Sequence, residues 1–328
     1  MTFQRPHTTP VAFAAAALIA TLAACGGGSD TPAAPAPTTQ TVSIEFVGTV
    51  GDTPIDCSSS LAGLGTGGSN ARLTDLRLFV ANLKLINAAG QEVAVTLDAN
   101  DFQLTEGSNS VALVDLENGS GYCVGDSQMH ATITGTVPVG TYSGVEMTLG
   151  VPEALNHSET FAAKAPLDNK DMAWSWQAGR KFAKIEVNPE KAGATGTFTG
   201  GIAKYNADGT LAGSFNSTFN FHLGNTGCVA GTNPGEYSCS SDSTRTFHIH
   251  DFNPATQRIT VDLKELFTLS ALVEEHGGAP GCMSGPTDPE CVAMWSVIGS
   301  SFDGSGNSVV DEDSEFLHGH TVFRALAK

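Results

Sequence analysis

The segment Met172-Ala173-Trp174-Ser175-Trp176-Gln177 carries the least ordinary side-chain chemistry of this sequence. In an extended strand alternate side chains project to one face, so Met172, Trp174 and Trp176 would form an apolar stripe that includes a soft thioether. Two of the three tryptophans of the chain lie in this stripe. An aromatic cluster in the core explains the pattern most simply, and a binding face is the alternative.

Paired histidines offer a second kind of ligand chemistry. His248-Ile249-His250 would place two imidazoles on one strand face, about 6.6–6.8 Å apart, and His318-Gly319-His320 has the same spacing. Such a pair can share a borderline or soft cation, although a polar outer strand face explains each pair without one. His222 differs because it lies in the apolar stretch Phe219–Gly224. A single histidine there is typical of a hydrogen-bonded residue near the core.

The composition excludes several classes of protein. Charged residues make up only 15% of the chain, and glycine occupies 37 positions. Coiled coils and helical bundles need far more Glu, Lys and Arg than this. The chain has 16 Lys and Arg against 34 Asp and Glu, a formal net charge of −18. A polyanion would be repelled at long range, so the sequence predicts no nucleic-acid partner.

Alternation of apolar and polar residues predicts a chain made mostly of strands. Val145–Leu149 and Ile259–Leu263 show the period of two that a half-buried strand requires. We predict strands at Thr41–Val50, Leu76–Ile86, Glu92–Leu97, Met129–Val137, Tyr142–Leu149, Phe182–Val187, Thr197–Tyr205, Phe215–Leu223, Arg245–Phe252, Arg258–Leu263 and Thr321–Leu326. One helix is predicted from Leu263 to Val273, stopped by Gly277-Gly278. The expected fold is all-β: a single antiparallel β-sandwich-like domain with disulfides and one or two short helices.

The first 40 residues predict export and a lipid anchor. A short apolar stretch, Val11–Leu22, follows Arg5 and ends in Leu22-Ala23-Ala24-Cys25. This ending resembles the lipobox of bacterial lipoproteins, so residues 1–24 are predicted to be a signal peptide and Cys25 the lipidated residue. Residues 25–40 then form the lipidated Cys and a flexible tether, and the domain occupies 41–328. No Asp follows Cys25 directly, which favours an outer-membrane lipoprotein facing the periplasm, or the cell surface.

The six cysteines beyond Cys25 predict three disulfides. An even number of cysteines in an oxidising compartment is typical of a disulfide framework, although six thiols allow fifteen connectivities. Proximity in the sequence favours Cys228–Cys239 and Cys282–Cys291, which leaves Cys57–Cys123 as the long-range pair. The absence of Cys-x-x-Cys excludes thioredoxin chemistry, zinc ribbons and covalent haem.

Enzyme signatures are missing from the sequence. Gly63-Leu64-Gly65-Thr66-Gly67-Gly68 fits a dinucleotide motif, but no strand is predicted before it and the residues behind it alternate. Asp303-x-Ser305-x-Asn307 begins like a calcium loop, but Ser308 and Ser314 replace the required Gly and Glu. We therefore predict a protein that is not an enzyme.

Several stretches together resemble one family. They are Asp75-Leu76-Arg77-Leu78-Phe79-Val80, Leu149-Gly150-Val151-Pro152 with Leu155-Asn156-His157, Met172–Gln177, Phe221-His222-Leu223-Gly224 before Cys228, and Gly281–Gly285 through Asp288–Cys291. The chain is identified as a member of the MbnP-like family, also called the metallo-mystery-pair four-Cys-motif proteins. The resemblance covers residues 41–326, and its most specific element is Trp-x-Trp between Asn-His and His-Leu-Gly.

The resemblance implies a copper-binding protein facing the periplasm, active in copper acquisition or homeostasis. Family members bind one Cu(I), and a partner di-haem enzyme of the MauG/cytochrome c peroxidase type oxidises the first Trp of Trp-x-Trp to kynurenine. Carried onto this sequence, the modified residue is Trp174, Trp176 is the second Trp, and His157 and His222 are the histidine ligands. Met172 is a further soft ligand candidate, because it lies on the Trp174 face.

The sequence departs from the family pattern in two places. Six cysteines exceed the four in the family name, and Arg180 stands where an aromatic residue is expected, which predicts an altered docking surface for the partner enzyme. His248 and His250 have no family role, and we regard them as a hypothetical second cation site.

Two other functions are alternatives. A surface adhesion or glycan-binding sandwich would use Trp174 and Trp176 as an exposed stacking platform, without a metal. A copper redox enzyme would keep an open coordination position.

Overall fold

The computed structural model describes residues 38–174, 179–190, 202–206, 208–215, 218–233, 236–302, 308–310 and 322–328. The predicted signal peptide, Cys25, Trp176, the His318–His320 pair and residues 303–307 of the acidic segment lie outside the described residues.

Strands make up most of the described chain. In chain order they are β1 (Thr39–Val50), β2 (Thr53–Pro54), β3 (Ser60–Leu64), β4 (Ser69–Asn87), β5 (Glu92–Ala94), β6 (Thr96–Leu97), β7 (Gln103–Glu106), β8 (Asn109–Asp115), β9 (Thr132–Pro138), β10 (Tyr142–Leu149), β11 (Ala173–Trp174), β12 (Gly179–Arg180), β13 (Ala183–Pro189), β14 (Ile202–Tyr205), β15 (Leu211–Phe215), β16 (Phe219–Leu223), β17 (Thr226–Ala230), β18 (Tyr237–Ser241), β19 (Arg245–His250), β20 (Gln257–Asp262), β21 (Glu274–Glu275), β22 (Gly281–Cys282), β23 (Ser300–Phe302), β24 (Ser308–Val310) and β25 (Ala325–Ala327). The helices are α1 (Glu153–Asn156), α2 (Leu263–Leu266) and α3 (Pro289–Val297).

Two sheets share one hydrophobic core. The larger has the order β19-β10-β4-β13-β16-β22, with β3, β5 and β8 paired to other parts of β4 and β7 paired to β8. The smaller has the order β25-β20-β1-β9-β6, with β2 paired to β1. Ile44 and Phe46 of β1 and Leu76 and Leu78 of β4 contribute buried side chains to the same core. The prediction of an all-β sandwich is thus confirmed.

Most strand pairs are antiparallel, as predicted, but three described pairs are parallel. These are β1 with β20, β14 with β21, and β16 with β22. Each joins strands far apart in the sequence, so no hairpin dictates their direction.

The predicted strand bounds agree best with the structure where apolar and polar residues alternate strictly. Tyr142–Leu149 is a strand from end to end. The strand predicted at Met129–Val137 begins at Thr132, and the one predicted at Glu92–Leu97 divides into β5 and β6.

The helix predicted for Leu263–Val273 is too long. Asp262 caps α2 by accepting a hydrogen bond from Lys264 N, but the helix ends at Leu266. The chain then turns so that Ser270 O accepts a hydrogen bond from Thr66 N at 2.9 Å. A turn follows in place of the predicted helix, since Glu274 N donates to Ala271 O.

Helix α3 is not among the sequence predictions, although its start carries a recognisable signal. The Asp288 side chain accepts a hydrogen bond from Glu290 N, and Pro289 occupies the first turn. The described chain therefore has three short helices where one or two are predicted. None of these helices is long and apolar enough to cross a lipid bilayer.

The three disulfides are the pairs that the sequence predicts. Cys57 is bonded to Cys123, Cys228 to Cys239, and Cys282 to Cys291. Cys228 and Cys239 face one another in the ribbon of β17 and β18.

The glycine motif at residues 63–68 joins two strands. Strand β3 does precede it, contrary to the prediction, but strand β4 and not a helix follows. Without a helix N-terminus the segment lacks the anion site of a dinucleotide fold.

Candidate functional site

His157 lies at the end of α1, in a buried polar setting. Its side chain is 2% exposed, and Nε2 lies 3.2 Å from Glu153 Oε1 and 3.5 Å from Cys239 Sγ. The imidazole stacks on the Tyr237 ring, with 4.7 Å between the ring centroids. Residues of helix α1 and of strand β18 therefore both contact this histidine.

Arg180 holds the segment that carries His157. Its side chain is 2% exposed and donates to Asn156 O and Ser158 O at 2.7 Å and to Leu167 O at 2.7 and 3.0 Å. Its backbone N donates to Asn156 Oδ1 at 2.9 Å. Burial lowers the pKa of Arg180. The Arg180 guanidinium is thus buried and bound by carbonyl groups of this loop, so it adds no exposed charge to the surface.

Trp174 lies beside His157 and belongs to the short ribbon formed by β11 and β12. Trp174 pairs with Gly179, and a Cβ at Gly179 would lie 3.3 Å from His157 Cε1. The Trp174 ring covers Gly224, where a Cβ would lie 2.6 Å from Cζ3. Only 3% of Trp174 is exposed. This burial does not suit an exposed stacking platform for glycans.

A pocket opens between His157 and Trp174. It has a volume of about 430 Å³, and Gly179, Tyr237, Phe161 and Lys170 also line it. The structure thus brings together two of the predicted site residues, one imidazole and one indole, at the same cavity.

His222 lies near Trp174 but belongs to a different strand. It lies in β16, two residues before the Gly224 that the Trp174 ring covers, but it is not among the residues that line the pocket. His222 Nε2 lies 2.7 Å from Glu186 Oε1. Its buried Nδ1 has no hydrogen-bond partner among the described residues. A buried ring nitrogen without a partner is a candidate ligand atom.

Burial favours the neutral form of His222. Burial lowers the pKa of His222, and Lys181 and Lys184 lower it further against the opposing effect of Glu186. Burial by itself raises the pKa of Glu186, but the hydrogen bond from His222 and the charge of Lys184 together lower it. An ionised carboxylate can only accept hydrogen bonds, so Nε2 carries the imidazole proton and Nδ1 keeps its lone pair.

Glu186 belongs to a network of ion pairs in the interior of the protein. Lys184 Nζ lies 3.4 Å from Glu186 Oε1 and also pairs with Asp75. Asp75 in turn accepts from Arg77 Nε at 2.8 Å, and both residues are fully buried. Arg77, Lys184 and Glu186 come from two paired strands, β4 and β13. The network fixes the carboxylate that orients His222.

Met172 lies near Trp174 in sequence but in a different environment. It is fully buried in the hydrophobic core and is not among the residues that line the pocket. Its backbone O accepts a hydrogen bond from Lys181 N at 2.7 Å.

His248 and His250 occupy a separate surface on β19. His248 Nε2 lies 2.8 Å from Glu146 Oε2, and its side chain is 45% exposed. Lys84 Nζ lies 2.6 Å from the other oxygen of Glu146. The same Lys84 Nζ lies 2.8 Å from Glu92 Oε2, so His248 borders a surface network of two carboxylates and one lysine.

Glu186 and Tyr237 belong to this site although no motif of the sequence marks them, and Arg180 belongs to it although the sequence predicts it at a docking surface. Glu186 alternates with apolar residues in Ala183–Pro189, a pattern that predicts an ordinary acid exposed to solvent. Tyr237 precedes Cys239 by two residues, and only the predicted disulfide could have indicated its position.

Comparisons with known proteins agree on one family. The MbnP family model matches residues 39–284. A solved structure, MbnP from Methylosinus trichosporium, is similar with a TM-score of 0.70 and 29% sequence identity, over 88% of this chain and 99% of that chain. A search of the curated proteins finds no match. Since the family model covers well over half of the sequence, the chain belongs to the MbnP family.

Proposed function

We propose that this protein binds one Cu(I) through His157, His222 and a kynurenine formed from Trp174, and that it acts in copper acquisition or homeostasis. A di-haem enzyme of the cytochrome c peroxidase type would oxidise Trp174. The protein would be an outer-membrane lipoprotein anchored through Cys25, facing the periplasm or the cell surface, and would not be an enzyme itself.

The placement of Trp174 between two histidine-bearing segments carries this proposal. Gly179, its strand partner, contacts the His157 segment, and Gly224, under its ring, follows His222 by two residues. An unmodified indole has one N–H donor and no lone pair to offer a metal. Opening the indole produces an aniline nitrogen and a carbonyl oxygen, so a buried apolar side chain would gain ligand atoms without moving its backbone.

The donor atoms suit a soft or borderline cation. Imidazole nitrogens bind copper well, and the buried Nδ1 of His222 lacks a hydrogen-bond partner within the described chain. The burial of His222 and Trp174 also limits access of water, which favours the monovalent ion over strongly hydrated cations. Copper bound here would be cargo, and the residues of this chain would orient its ligands.

The test is copper stoichiometry after coproduction with a di-haem partner. We expect one copper per chain in the wild type and loss of tight copper binding in Trp174→Phe, with the fold retained. Its control is wild-type protein made without the partner, which should also lack tight copper binding. Equal affinity in Trp174→Phe and the wild type would refute the kynurenine ligand.

A further inference from the structure

The Cys228–Cys239 disulfide differs from the other two in exposure. Cys57 and Cys123 are 4% and 6% exposed and Cys282 and Cys291 are fully buried, whereas Cys228 and Cys239 are half-buried. They bridge the two-stranded ribbon β17–β18, which pairs with neither large sheet in the described chain. Exposed disulfides are the ones that external thiols reach and reduce.

An imidazole adjoins this disulfide. His157 Nε2 and the two sulfurs of Cys228 and Cys239 all lie within 4.8 Å of one another. The same nitrogen lies 3.5 Å from Cys239 Sγ. Two thiolates and one imidazole form a ligand set that suits Zn²⁺ and Cu(I). While the disulfide is intact, the sulfurs are not thiolates and the set is incomplete.

We propose that Cys228, Cys239 and His157 form a latent metal site that reduction of the disulfide opens. A dithiol donor would transfer two electrons, so that the Cys228–Cys239 bond breaks and a disulfide forms in the donor. The two protons of the donor pass to the two cysteine sulfurs. A soft or borderline divalent or monovalent cation then displaces these protons and binds both thiolates and His157.

The ribbon should keep its geometry when the sulfur bond breaks. Cys228 and Cys239 are direct cross-strand partners, and the register continues on both sides through the pairs Thr226–Ser241 and Val229–Ser238. The Tyr237 ring that stacks on His157 belongs to the same ribbon. The metal would replace the contact of His157 with Glu153, whose carboxylate lies 3.2 Å from Nε2 and is 57% exposed.

The site shares His157 with the copper site proposed above. Filling the thiolate site would withdraw His157 from the Trp174 pocket, so reduction would lower the affinity of that pocket for Cu(I). This consequence rests on the proposed function, whereas the thiolate site itself does not.

The experiment uses Trp174→Phe protein, in which no kynurenine can form. The full chain is treated with a phosphine reductant, freed of it without oxygen, and titrated with Co²⁺ as a zinc-like probe. We expect one equivalent to bind with a thiolate-to-cobalt charge-transfer band, and the oxidised protein to show no such band. Alkylation and peptide mapping should find Cys228 and Cys239 reduced first, with the far-ultraviolet circular dichroism unchanged.

Two variants identify the ligands. Cys228→Ser/Cys239→Ser should abolish the band. His157→Ala should leave the thiols in place. It should weaken Co²⁺ binding by more than the about 10- to 100-fold that loss of an outer-shell partner costs. Reduced thiols at Cys228 and Cys239 without Co²⁺ uptake would overturn the proposal, as would a disulfide that is reduced only when the protein unfolds. Because Trp174 is absent throughout, neither result bears on the proposed kynurenine ligand.

Discussion

His222 is bound through Nε2 to the Glu186 carboxylate, with 2.7 Å between the nitrogen and Oε1. The two residues lie on adjacent antiparallel strands, β16 and β13. Such a carboxylate–histidine pair fixes both the tautomer and the ring orientation of a metal-binding imidazole. In this protein it leaves Nδ1, the buried ring nitrogen, available to a ligand.

Glu186→Gln tests that arrangement. An amide holds Nε2–H less firmly than a carboxylate and can also present its NH₂ group, so the tautomer is no longer fixed. We expect Cu(I) affinity to fall about 10- to 100-fold, as measured by competition with a chromophoric chelator. Glu146→Gln is the matched control, because it removes the corresponding bond to His248 at 2.8 Å. Equal losses in the two variants would contradict the assignment of Glu186.

Gly224→Ala tests the contact that places Trp174. A Cβ at this position would lie 2.6 Å from Trp174 Cζ3 and 2.8 Å from Arg180 O, so the ring must move. We expect a stability loss of about 1–3 kcal/mol and weaker copper binding. Gly67→Ala is the control, since the nearest atom there, Ser69 Oγ, is 3.7 Å away. Wild-type copper affinity in a destabilised Gly224→Ala protein would show that the ring position does not matter.

Arg180→Lys tests the anchoring of the His157 segment. The lysine keeps the charge but cannot bind the carbonyl groups of Asn156, Ser158 and Leu167 together, as the guanidinium does. We expect the free energy of unfolding in urea to fall by about 3 kcal/mol, the order of one or two charge-assisted hydrogen bonds. Copper affinity should fall with it. Arg258→Lys, at a partly exposed ion pair with Glu45, is the control and should change neither quantity. Wild-type stability and copper affinity in Arg180→Lys would refute the anchoring role of Arg180.

Buried Asp115 predicts that stability depends on pH. Burial raises the pKa of Asp115 from 3.8 to about 8. The folded state therefore favours the protonated carboxyl, so its contribution to stability is complete below pH 3.8 and is lost as the pH rises to about 8. Glu275 and Asp288, whose pKa values are raised to about 7 and about 8 by burial, act in the same direction.

Asp115→Asn isolates this contribution. The neutral amide resembles the protonated acid, so the variant should be more stable than the wild type at pH 8 and similar to it near pH 4. Urea unfolding across this range measures the difference, and Asp98→Asn, at an exposed aspartate, is the control. If the free energy of unfolding of Asp115→Asn changes with pH as steeply as that of the wild type, this carboxyl ionises in the folded protein as freely as in the unfolded chain.

Local patterns predict the strands and disulfides of this protein well. The alternation in Tyr142–Leu149 predicts its strand to the residue, and its apolar positions Val145, Met147 and Leu149 all lie in the core. Cys228 and Cys239 are close in sequence and sit on paired strands of one ribbon. By contrast, α2 ends at Leu266, and Ser270 O beyond it accepts a hydrogen bond from Thr66 N, a contact over 204 residues that no local pattern contains.

The candidate site is predicted less completely for the same reason. Resemblance to a family identifies Trp174, His157 and His222, but the partners of these residues depend on register and loop packing. Glu186 meets His222 only because β13 and β16 pair in one particular register. The Arg180 side chain is buried where the carbonyl oxygens of Asn156 and Leu167 accept its hydrogen bonds. Neither fact follows from residue types alone.

The chemical state of Trp174 shows whether this side chain becomes the proposed kynurenine. Trypsin should release the peptide Asp171–Arg180, and fragment masses from it distinguish Trp174 from Trp176. In protein coproduced with a di-haem partner, we expect Trp174 to have lost one carbon atom and gained one oxygen atom, as kynurenine requires, and Trp176 to be unchanged. An unmodified Trp174 in copper-loaded protein from those cells would contradict this expectation.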